Sequence, residues 1–287
     1  MKYVETLHQN QHMQGFTSDD KYMYWSFTDT VVKTTLEGTV KRCVPVTGGK
    51  YGGHLGDIDY HEGKLYASFM GNCLPGHAWN DWTSFMIYVY DAETLELEKR
   101  INLDICDLYK AQNGTPEDTR GFQGIDGVAF GKIPGTDEWR MFVACALDTD
   151  ERWEDNIILQ FTPDGVYETE YRIKTGNTVF GIQNLDYDKT TGEFWFSTYG
   201  GSQPYQPKET LYKTDINLTK AEERYCFSSA YGFECLGNGK YHCALQWGKN
   251  KNQCGGAYEC EKSFFENKKT EAEITAYVKK LLEEDAL

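Results

Sequence analysis

Polar side chains stand beside or close to glycine at five widely separated places in the chain. Three of them are carboxylates, Asp57, Asp126 and Glu234, and two are amides, Gln14 and Gln183. Paired carboxylates can act as the general acid and base of a glycosidase, in which their separation decides between retention and inversion. A set of oxygen ligands also suits a hard cation. Asp57, Asp126 and Glu234 are therefore both candidate catalytic residues and candidate calcium ligands.

Long polar and aromatic stretches of the sequence are expected to surround these carboxylates. Three tryptophans in those stretches are predicted to line a substrate cleft: Trp79, Trp82 and Trp153. Asp148 is a further candidate catalytic carboxylate. His54 stands two residues before Gly56, from where its imidazole could reach the substrate. Gln14 and Gln183 complete the predicted substrate-binding set.

Each of these residues also has an ordinary structural interpretation. Gly-Asp and Asp-Gly pairs are common in turns, so either Asp57 or Asp126 alone is equally typical of a turn residue. His54 could instead form a hydrogen bond to a neighbouring repeat, and ordered water could take the place of calcium. The recurrence of a polar residue beside glycine in every repeat is what favours a shared site.

Short strands of alternating polarity recur along the chain and would position these residues. They are residues 23–27, 65–69, 141–147, 194–198 and 240–244. In each strand an aromatic or β-branched residue precedes a small residue by two places. The small residues form one column: Ser26, Ser68, Cys145, Ser197 and Cys243. We interpret this column as packing between neighbouring repeats, and not as a set of nucleophiles.

The sequence around each of these strands predicts further short strands joined by tight turns. Antiparallel four-stranded meanders repeated in this way are typical of a β-propeller. The fifth repeat lacks a clear fourth strand, whereas the first residues, from Tyr3 to Leu7, read as a strand outside any repeat. The sequence therefore predicts an all-β, five-bladed β-propeller whose last blade is closed by the N-terminal strand.

The domain organisation follows from where the strand pattern stops. Residues 1–266 are expected to form a single β-propeller domain, and residues 267–287 a C-terminal amphipathic helix packed on it. Thr270 and Glu273 have capping-box spacing, and the apolar residues after them fall on one helical stripe.

Composition excludes several classes of partner. The formal net charge of -15 argues against binding to nucleic acid, which needs a basic surface, and against an anionic membrane. No apolar stretch is long enough to span a bilayer, and the first residues lack the apolar core of a signal peptide. The odd count of 9 cysteines leaves at least one unpaired within the chain. We expect a cytoplasmic location, or an extracytoplasmic one if a leader has been removed.

The fivefold pattern resembles the five-bladed β-propeller group over nearly the whole chain, from Tyr3 to about Cys260. That group includes arabinanase-like glycosidases, calcium-activated nucleotidases and tachylectin-like sugar binders. The resemblance is one of architecture and does not extend to a family's catalytic motif. It implies a glycosidase-like hydrolase acting on a small molecule or glycan, or a non-catalytic propeller that binds a glycan or a protein. A third implied function is a calcium-dependent phosphate-ester hydrolase, with Arg120 and Arg152 as phosphate clamps.

Overall fold

The computed structural model describes residues 3–9, 13–46, 53–71, 84–105, 124–146, 155–176, 178, 180–200, 210–227, 230–249 and 252–266. These residues form five four-stranded antiparallel sheets. The predicted five-bladed propeller is therefore confirmed.

The first four blades are each built from four strands in chain order. Blade one consists of β2 (Met13–Ser18), β3 (Tyr22–Phe27), β4 (Thr30–Thr35) and β5 (Val40–Pro45). Blade two consists of β6 (Gly53–His61), β7 (Lys64–Gly71), β8 (Ser84–Asp91) and β9 (Leu97–Asn102). Blade three consists of β10 (Gly124–Lys132), β11 (Trp139–Ala146), β12 (Asp155–Phe161) and β13 (Tyr167–Lys174). Blade four consists of β14 (Ile182–Asp188), β15 (Glu193–Thr198), β16 (Leu211–Thr214) and β17 (Ala221–Tyr225).

Blade five combines the two ends of the strand sequence, as predicted. Its strands β18 (Phe233–Gly237), β19 (Lys240–Lys249) and β20 (Asn252–Glu261) are consecutive, and β1 (Tyr3–Gln9) pairs antiparallel with β20 as the outermost strand. This pairing closes the ring because the first strand of the chain covers the last sheet. A closed ring leaves only short, protected sheet edges.

The hydrophobic core lies between neighbouring blades. The inner strands are almost completely buried, as β10 shows, whereas outer strands such as β5 and β13 are largely exposed. Between blades two and three, for example, Phe85 and Ile87 pack with Val128 and Val143. Equivalent clusters occupy the other four interfaces. Each second strand contributes alternate residues to the two interfaces that flank it.

The column of small residues is present, but the sequence assignment was wrong in two repeats. Ser26 lies opposite Gly15 and Ser197 lies opposite Asn184. The same position is taken by Ser68 in blade two, Ala144 in blade three and Ala244 in blade five. Cys145 and Cys243 are buried on the opposite face, against the preceding blade. The reason is that side chains alternate along a strand, so an error of one residue reverses the face.

One short helix, α1 (Lys262–Glu266), follows blade five within the described residues. Its Phe265 is buried and contacts the rings of Trp195 and Tyr241 at centroid distances of 5.8 Å and 5.1 Å. The amphipathic helix predicted for residues 267–287 lies outside the described residues. No helix in the described part of the chain is long and apolar enough to cross a membrane.

Candidate functional site

The inner strands of the first four blades begin with a break in regular pairing. Register shifts occur between Met13 and Gly15 in β2, and between Leu55 and Ile58 in β6. The corresponding shifts fall between residues 125 and 128 in β10 and between 182 and 184 in β14. Bulges re-aim side chains and recur near functional sites. Four of the polar residues that the sequence places beside or close to glycine are therefore bulge residues: Gln14, Asp57, Asp126 and Gln183. They lie on what we call the upper face, the face at which the inner strands begin.

Asp57 is buried and serves as an acceptor for several donors. Its Oδ2 accepts hydrogen bonds from the backbone N–H of Leu185 at 2.9 Å and of Val128 at 3.4 Å, and its Oδ1 accepts one from Asn184 Nδ2 at 3.1 Å. A Cβ atom at Gly15 would overlap Asp57 Oδ1, so this carboxyl needs glycine on the neighbouring strand. Burial raises the pKa of Asp57 well above its usual range, although these hydrogen bonds act in the opposite direction.

These contacts cross the axis of the ring. Asp57 belongs to blade two and Asn184 to blade four, which are not neighbours. Asn184 Nδ2 also donates to the main-chain oxygen of Gln14 in blade one at 2.7 Å, and its Oδ1 accepts a hydrogen bond from Ser197 Oγ at 3.0 Å. We call Asp57, Asn184 and the Gln14 carbonyl the waist. The waist separates the upper end of the channel from the lower end.

Asp126 is also buried, but its carboxyl has a different environment. Among the described residues, Oδ1 of Asp126 has no hydrogen-bond partner. The backbone beside it is fixed, because Ser68 Oγ donates to the Asp126 main-chain oxygen and Gly56 leaves room for the carboxyl. Burial raises the pKa of Asp126 well above its usual range. The result is a buried carboxyl group near the start of β10, whose Oδ1 is closed off from solvent and has no hydrogen-bond partner among the described residues.

Exposed aromatic rings lie in the same part of the upper face. Phe180 is 45% exposed and has a φ of 59°, which is unusual for a residue other than glycine. Tyr199 is 38% exposed and lies edge-on to Tyr231 at 5.9 Å between ring centroids. Burial around its hydroxyl, and then the nearby charge of Asp126, raise the pKa of Tyr199. We call Asp126, Phe180 and Tyr199 the upper mouth.

The two predicted amide ligands have internal partners at this level. Gln14 Nε2 donates to Thr28 Oγ1 at 3.0 Å, and Gln183 Nε2 donates to the main-chain oxygen of Phe180 at 3.1 Å. His54 is half-buried in β6, opposite Met70. These hydrogen bonds hold the rim in place, and the substrate-binding role assigned to Gln14, Gln183 and His54 stays a prediction.

A second set of polar residues lies further along the inner strands, two positions after Asp57 in β6 and two positions after Asn184 in β14. Each of these side chains accepts a hydrogen bond from the backbone N–H of the next inner strand. Thr17 accepts from Tyr60 at 3.2 Å, and Asp59 from Phe130 at 2.7 Å. Asp186 accepts from Cys235 at 2.5 Å, and Glu234 from Ser18 at 2.5 Å. We call Thr17, Asp59, Asp186 and Glu234 the lower ring; blade three has Ala129 at this position.

Sequence reasoning missed Asp59 and Asp186. The sequence carried a signal for both residues. Asp59 follows Asp57 by two positions, as Asp186 follows Asn184, and residues two positions apart share a face of a strand. Burial, and then the charge of Asp186, raise the pKa of Asp59 to about 8. Burial, and then the charge of Glu234, raise the pKa of Asp186 to about 6.

Glu234 belongs to the lower ring and not to the upper mouth. Its carboxylate also accepts hydrogen bonds from Ser18 Oγ at 2.8 Å and 2.9 Å, and it contacts His242 Nδ1 at 2.8 Å. The structure therefore places Asp57 and Asp126 in neighbouring inner strands near the upper face and sets Glu234 deeper in the channel. Asp148, Trp79, Trp82 and Trp153 lie outside the described residues.

The predicted calcium ligands are largely engaged with protein donors. Asp57 and Glu234 each accept several hydrogen bonds, and only Asp126 offers an oxygen without one. The described residues contain no group of three or more His, Cys, Asp or Glu side chains arranged to hold a metal ion. The three residues thus fit a shared calcium ion poorly as they stand. Calcium binding stays a prediction.

No protein-family model matches the chain, and no curated protein matches its sequence. Solved structures do match. The GH43 endo-arabinanase from Bacillus licheniformis aligns with a TM-score of 0.50 and 10% identity, over 89% of this chain and 96% of that chain. A Bacteroides caccae protein of unknown function aligns with a TM-score of 0.40 and 11% identity, over 76% and 82% of the two chains. The Neurospora crassa Pan2 WD40 domain aligns with a TM-score of 0.40 and 9% identity, over 85% and 74%. The similarity to the endo-arabinanase bears on the fold alone, and it agrees with the propeller resemblance inferred from the sequence.

Proposed function

We propose that this protein is a hydrolase that cleaves a carbohydrate at the upper mouth, with Asp126 as the general acid. The observation that carries the proposal is the buried Asp126 carboxyl, whose Oδ1 has no hydrogen-bond partner among the described residues. A general acid must hold its proton at neutral pH and present it to the leaving group. Burial supports the first requirement, because it raises the pKa of Asp126.

The aromatic rim supports a sugar as the ligand. Tyr199 exposes ring surface close enough to the buried carboxyl to feel its charge, and Phe180 exposes its ring just before β14. Flat apolar rings with a few convergent polar groups are the usual lining of a small-molecule site. A sugar offers apolar C–H faces to the rings and hydroxyl groups to Asp126 and Tyr199.

A hydrolytic mechanism of this kind needs a second carboxylate, and we do not assign that role to Asp57 in the waist. Asp57 accepts three hydrogen bonds that connect blade two to blades three and four. Using it as nucleophile or base would break these contacts, so we assign it the role of holding the channel. Asp148, which follows β11 closely in the sequence, is our candidate for the second carboxylate.

A non-catalytic sugar-binding propeller is the competing function, and one observation favours it. A single carboxyl with an unused oxygen is sufficient for binding a hydroxyl group, whereas hydrolysis by the usual mechanism needs two. The same site would then recognise a glycan without cleaving it.

A substrate screen with two aspartate variants tests the proposal. The purified protein is assayed on chromogenic glycosides and on polysaccharides by release of reducing ends, with and without calcium chelation. Arabinan is included because a protein of similar fold is an endo-arabinanase. p-Nitrophenyl phosphate tests the phosphate-ester alternative. We expect hydrolysis of at least one glycoside, and a loss of about 100- to 10,000-fold in Asp126→Asn. Asp164→Asn, whose side chain is 84% exposed on a distant turn, should retain full activity.

The outcomes separate the two functions. Saturable glycan binding that depends on Asp126, without any turnover, supports the binding propeller and rejects the hydrolase. Turnover that is unchanged in Asp126→Asn rejects the upper mouth as the catalytic site.

A further inference from the structure

A second pocket lies at the opposite end of the channel, where blade five meets blade one. It has a volume of about 190 Å³ and opens beside the turn between β2 and β3. Three apolar residues, Met23, Leu36 and Leu236, form much of its wall. The polar side chains used below are His242, Asp20 and Glu259. We call this cavity the lower pocket.

His242 is held in one orientation at the inner end of the lower pocket. Its Nδ1 contacts Glu234 Oε2 at 2.8 Å, and Glu234 is fixed by the hydroxyl and N–H of Ser18. The edge of Phe16 packs against the imidazole at 6.3 Å between centroids. When Nδ1 donates to this carboxylate and the ring is neutral, Nε2 carries the lone pair. Nε2 has no hydrogen-bond partner among the described residues, so an acceptor faces the pocket.

The carboxylates that line the lower pocket are acceptors, and the Ser18 hydroxyl, which also lines it, already donates to Glu234. Asp20 is exposed at the rim. Glu259 is partly exposed, and one of its oxygens contacts Lys240 Nζ at 3.2 Å. Asp19 lies beside them and accepts from the backbone of the same turn and from Tyr24. The nearby cations, Lys21 and Lys240, are both exposed, and they leave the pocket with an excess of negative charge.

A ligand that fits this lining must supply donors, carry positive charge and present an apolar body. We propose that the lower pocket binds a primary ammonium group on a short aliphatic stem. The ammonium group donates to His242 Nε2 and to the carboxylates of Asp20 and Glu259, and the stem packs on Met23 and the two leucines. An ammonium group has three donors and no acceptor, which matches a lining rich in acceptors, in which the Ser18 hydroxyl already donates to Glu234. The volume is below the roughly 300–1,000 Å³ of sites for larger ligands, so the stem is short.

The proposal is tested by titration of the protein with n-butylammonium chloride. Side-chain ¹⁵N NMR of histidine reports on His242 directly, with n-butanol as the uncharged analogue and sodium chloride as the ionic-strength control. We expect a saturable shift of the His242 Nε2 resonance with the amine, in the millimolar range or tighter, and no saturable shift with butanol. Nα-acetyl-lysine N-methylamide is titrated in parallel. Tighter binding of this compound identifies a lysine side chain of a partner as the source of the ammonium group, and weaker binding identifies a free amine.

Substitutions test which residues form the site. In the His242 variant, which lacks the NMR reporter, binding of n-butylammonium is measured by calorimetry. His242→Gln and Glu259→Gln should each weaken binding by about tenfold, because the first removes the fixed imidazole acceptor and the second removes a negative charge that faces the ammonium group. Asp137→Asn, on another turn of the lower face and 96% exposed, should leave binding unchanged. Glu259 lies at the surface, so its variant keeps the test valid if His242→Gln unfolds.

Three results would overturn the proposal. They are the absence of saturable binding, an equal response to butanol, and tighter binding of zinc chloride than of the amine at the same residues. None of them bears on the upper mouth, so failure here is distinguishable from failure of the proposed hydrolase.

Discussion

The waist and the upper mouth place the same kind of residue, a buried aspartate beside glycine, in different hydrogen-bonding environments. Asp57 and Asp126 both stand beside glycine at the start of an inner strand, and both are buried with a raised pKa. Asp57 accepts hydrogen bonds from two other blades, whereas Oδ1 of Asp126 has no partner among the described residues. A buried polar group without a partner destabilises the fold, and such groups in native proteins call for an explanation. The difference indicates a structural role for the Asp57 carboxyl, and it is the basis of the role that we propose for Asp126.

The lower ring is intermediate between these two cases. Asp59 accepts one backbone hydrogen bond at 2.7 Å, and its pKa of about 8 is explained first by burial and then by the charge of Asp186. One donor therefore does not compensate the burial of this charge. The three aspartates form a series in which the number of donors decreases from Asp57 to Asp59 to Asp126. Stability measurements on variants of these three aspartates test this distinction.

The largest effect is expected at the waist. Asp57→Ala should reduce the free energy of unfolding by about 3–5 kcal/mol, because it leaves buried donors from Leu185, Val128 and Asn184 without an acceptor. Urea denaturation followed by tryptophan fluorescence measures the change. Asp57→Asn is the matched control, and it should lose less because it keeps one acceptor oxygen. If the alanine variant is as stable as the parent, the waist does not hold the blades.

The lower ring should produce a pH dependence of stability. Asp59 keeps its proton in the folded protein up to a pH of about 8, whereas its ordinary pKa is 3.8. The folded state therefore binds more protons than the unfolded state between these values, and stability falls as the pH rises. Asp59→Asn should make this decline shallower by about 1.4 kcal/mol per pH unit between roughly pH 6 and 8.

Asp186→Asn is the control for this measurement. The pKa of Asp186 is about 6, so its own contribution to the decline ends near that pH. The charge of Asp186 also raises the pKa of Asp59, so Asp186→Asn should end the decline at a lower pH. Asp59→Asn should instead flatten the decline above pH 6, and denaturation curves at several pH values distinguish the two effects. Equal slopes for the parent and Asp59→Asn would mean that Asp59 is ionised in the folded protein.

The smallest effect on stability is expected at the upper mouth. Asp126→Asn should change the free energy of unfolding by less than about 1 kcal/mol, since it keeps the shape of the side chain and breaks no hydrogen bond to Oδ1, while burial already disfavours the charged form of the carboxyl. The same denaturation assay measures it. A loss as large as that of Asp57→Ala would show that Asp126 is a structural residue, and would remove the basis of its proposed role.

The sequence determined the architecture of this protein. Local alternation of apolar and polar residues, tight turns and five-fold recurrence were sufficient to predict the blades and the closure of the last sheet by the N-terminal strand. These features are encoded by local sequence, because strand periodicity and turn chemistry depend on residues that are close in the chain. Recurrence also located the residues beside glycine that became the bulges of the inner strands.

Only the tertiary structure decided what each of those residues does. Asp57, Asp126 and Glu234 look alike in the sequence, yet Asp57 accepts from Leu185 and Glu234 from Ser18, each more than a hundred positions away, whereas Oδ1 of Asp126 has no partner among the described residues. Likewise, the fixed orientation of His242 depends on Glu234 and Ser18 meeting where the ring closes. Hydrogen bonding and burial are set by contacts between blades, and a local pattern carries no information about which donor lies across the channel.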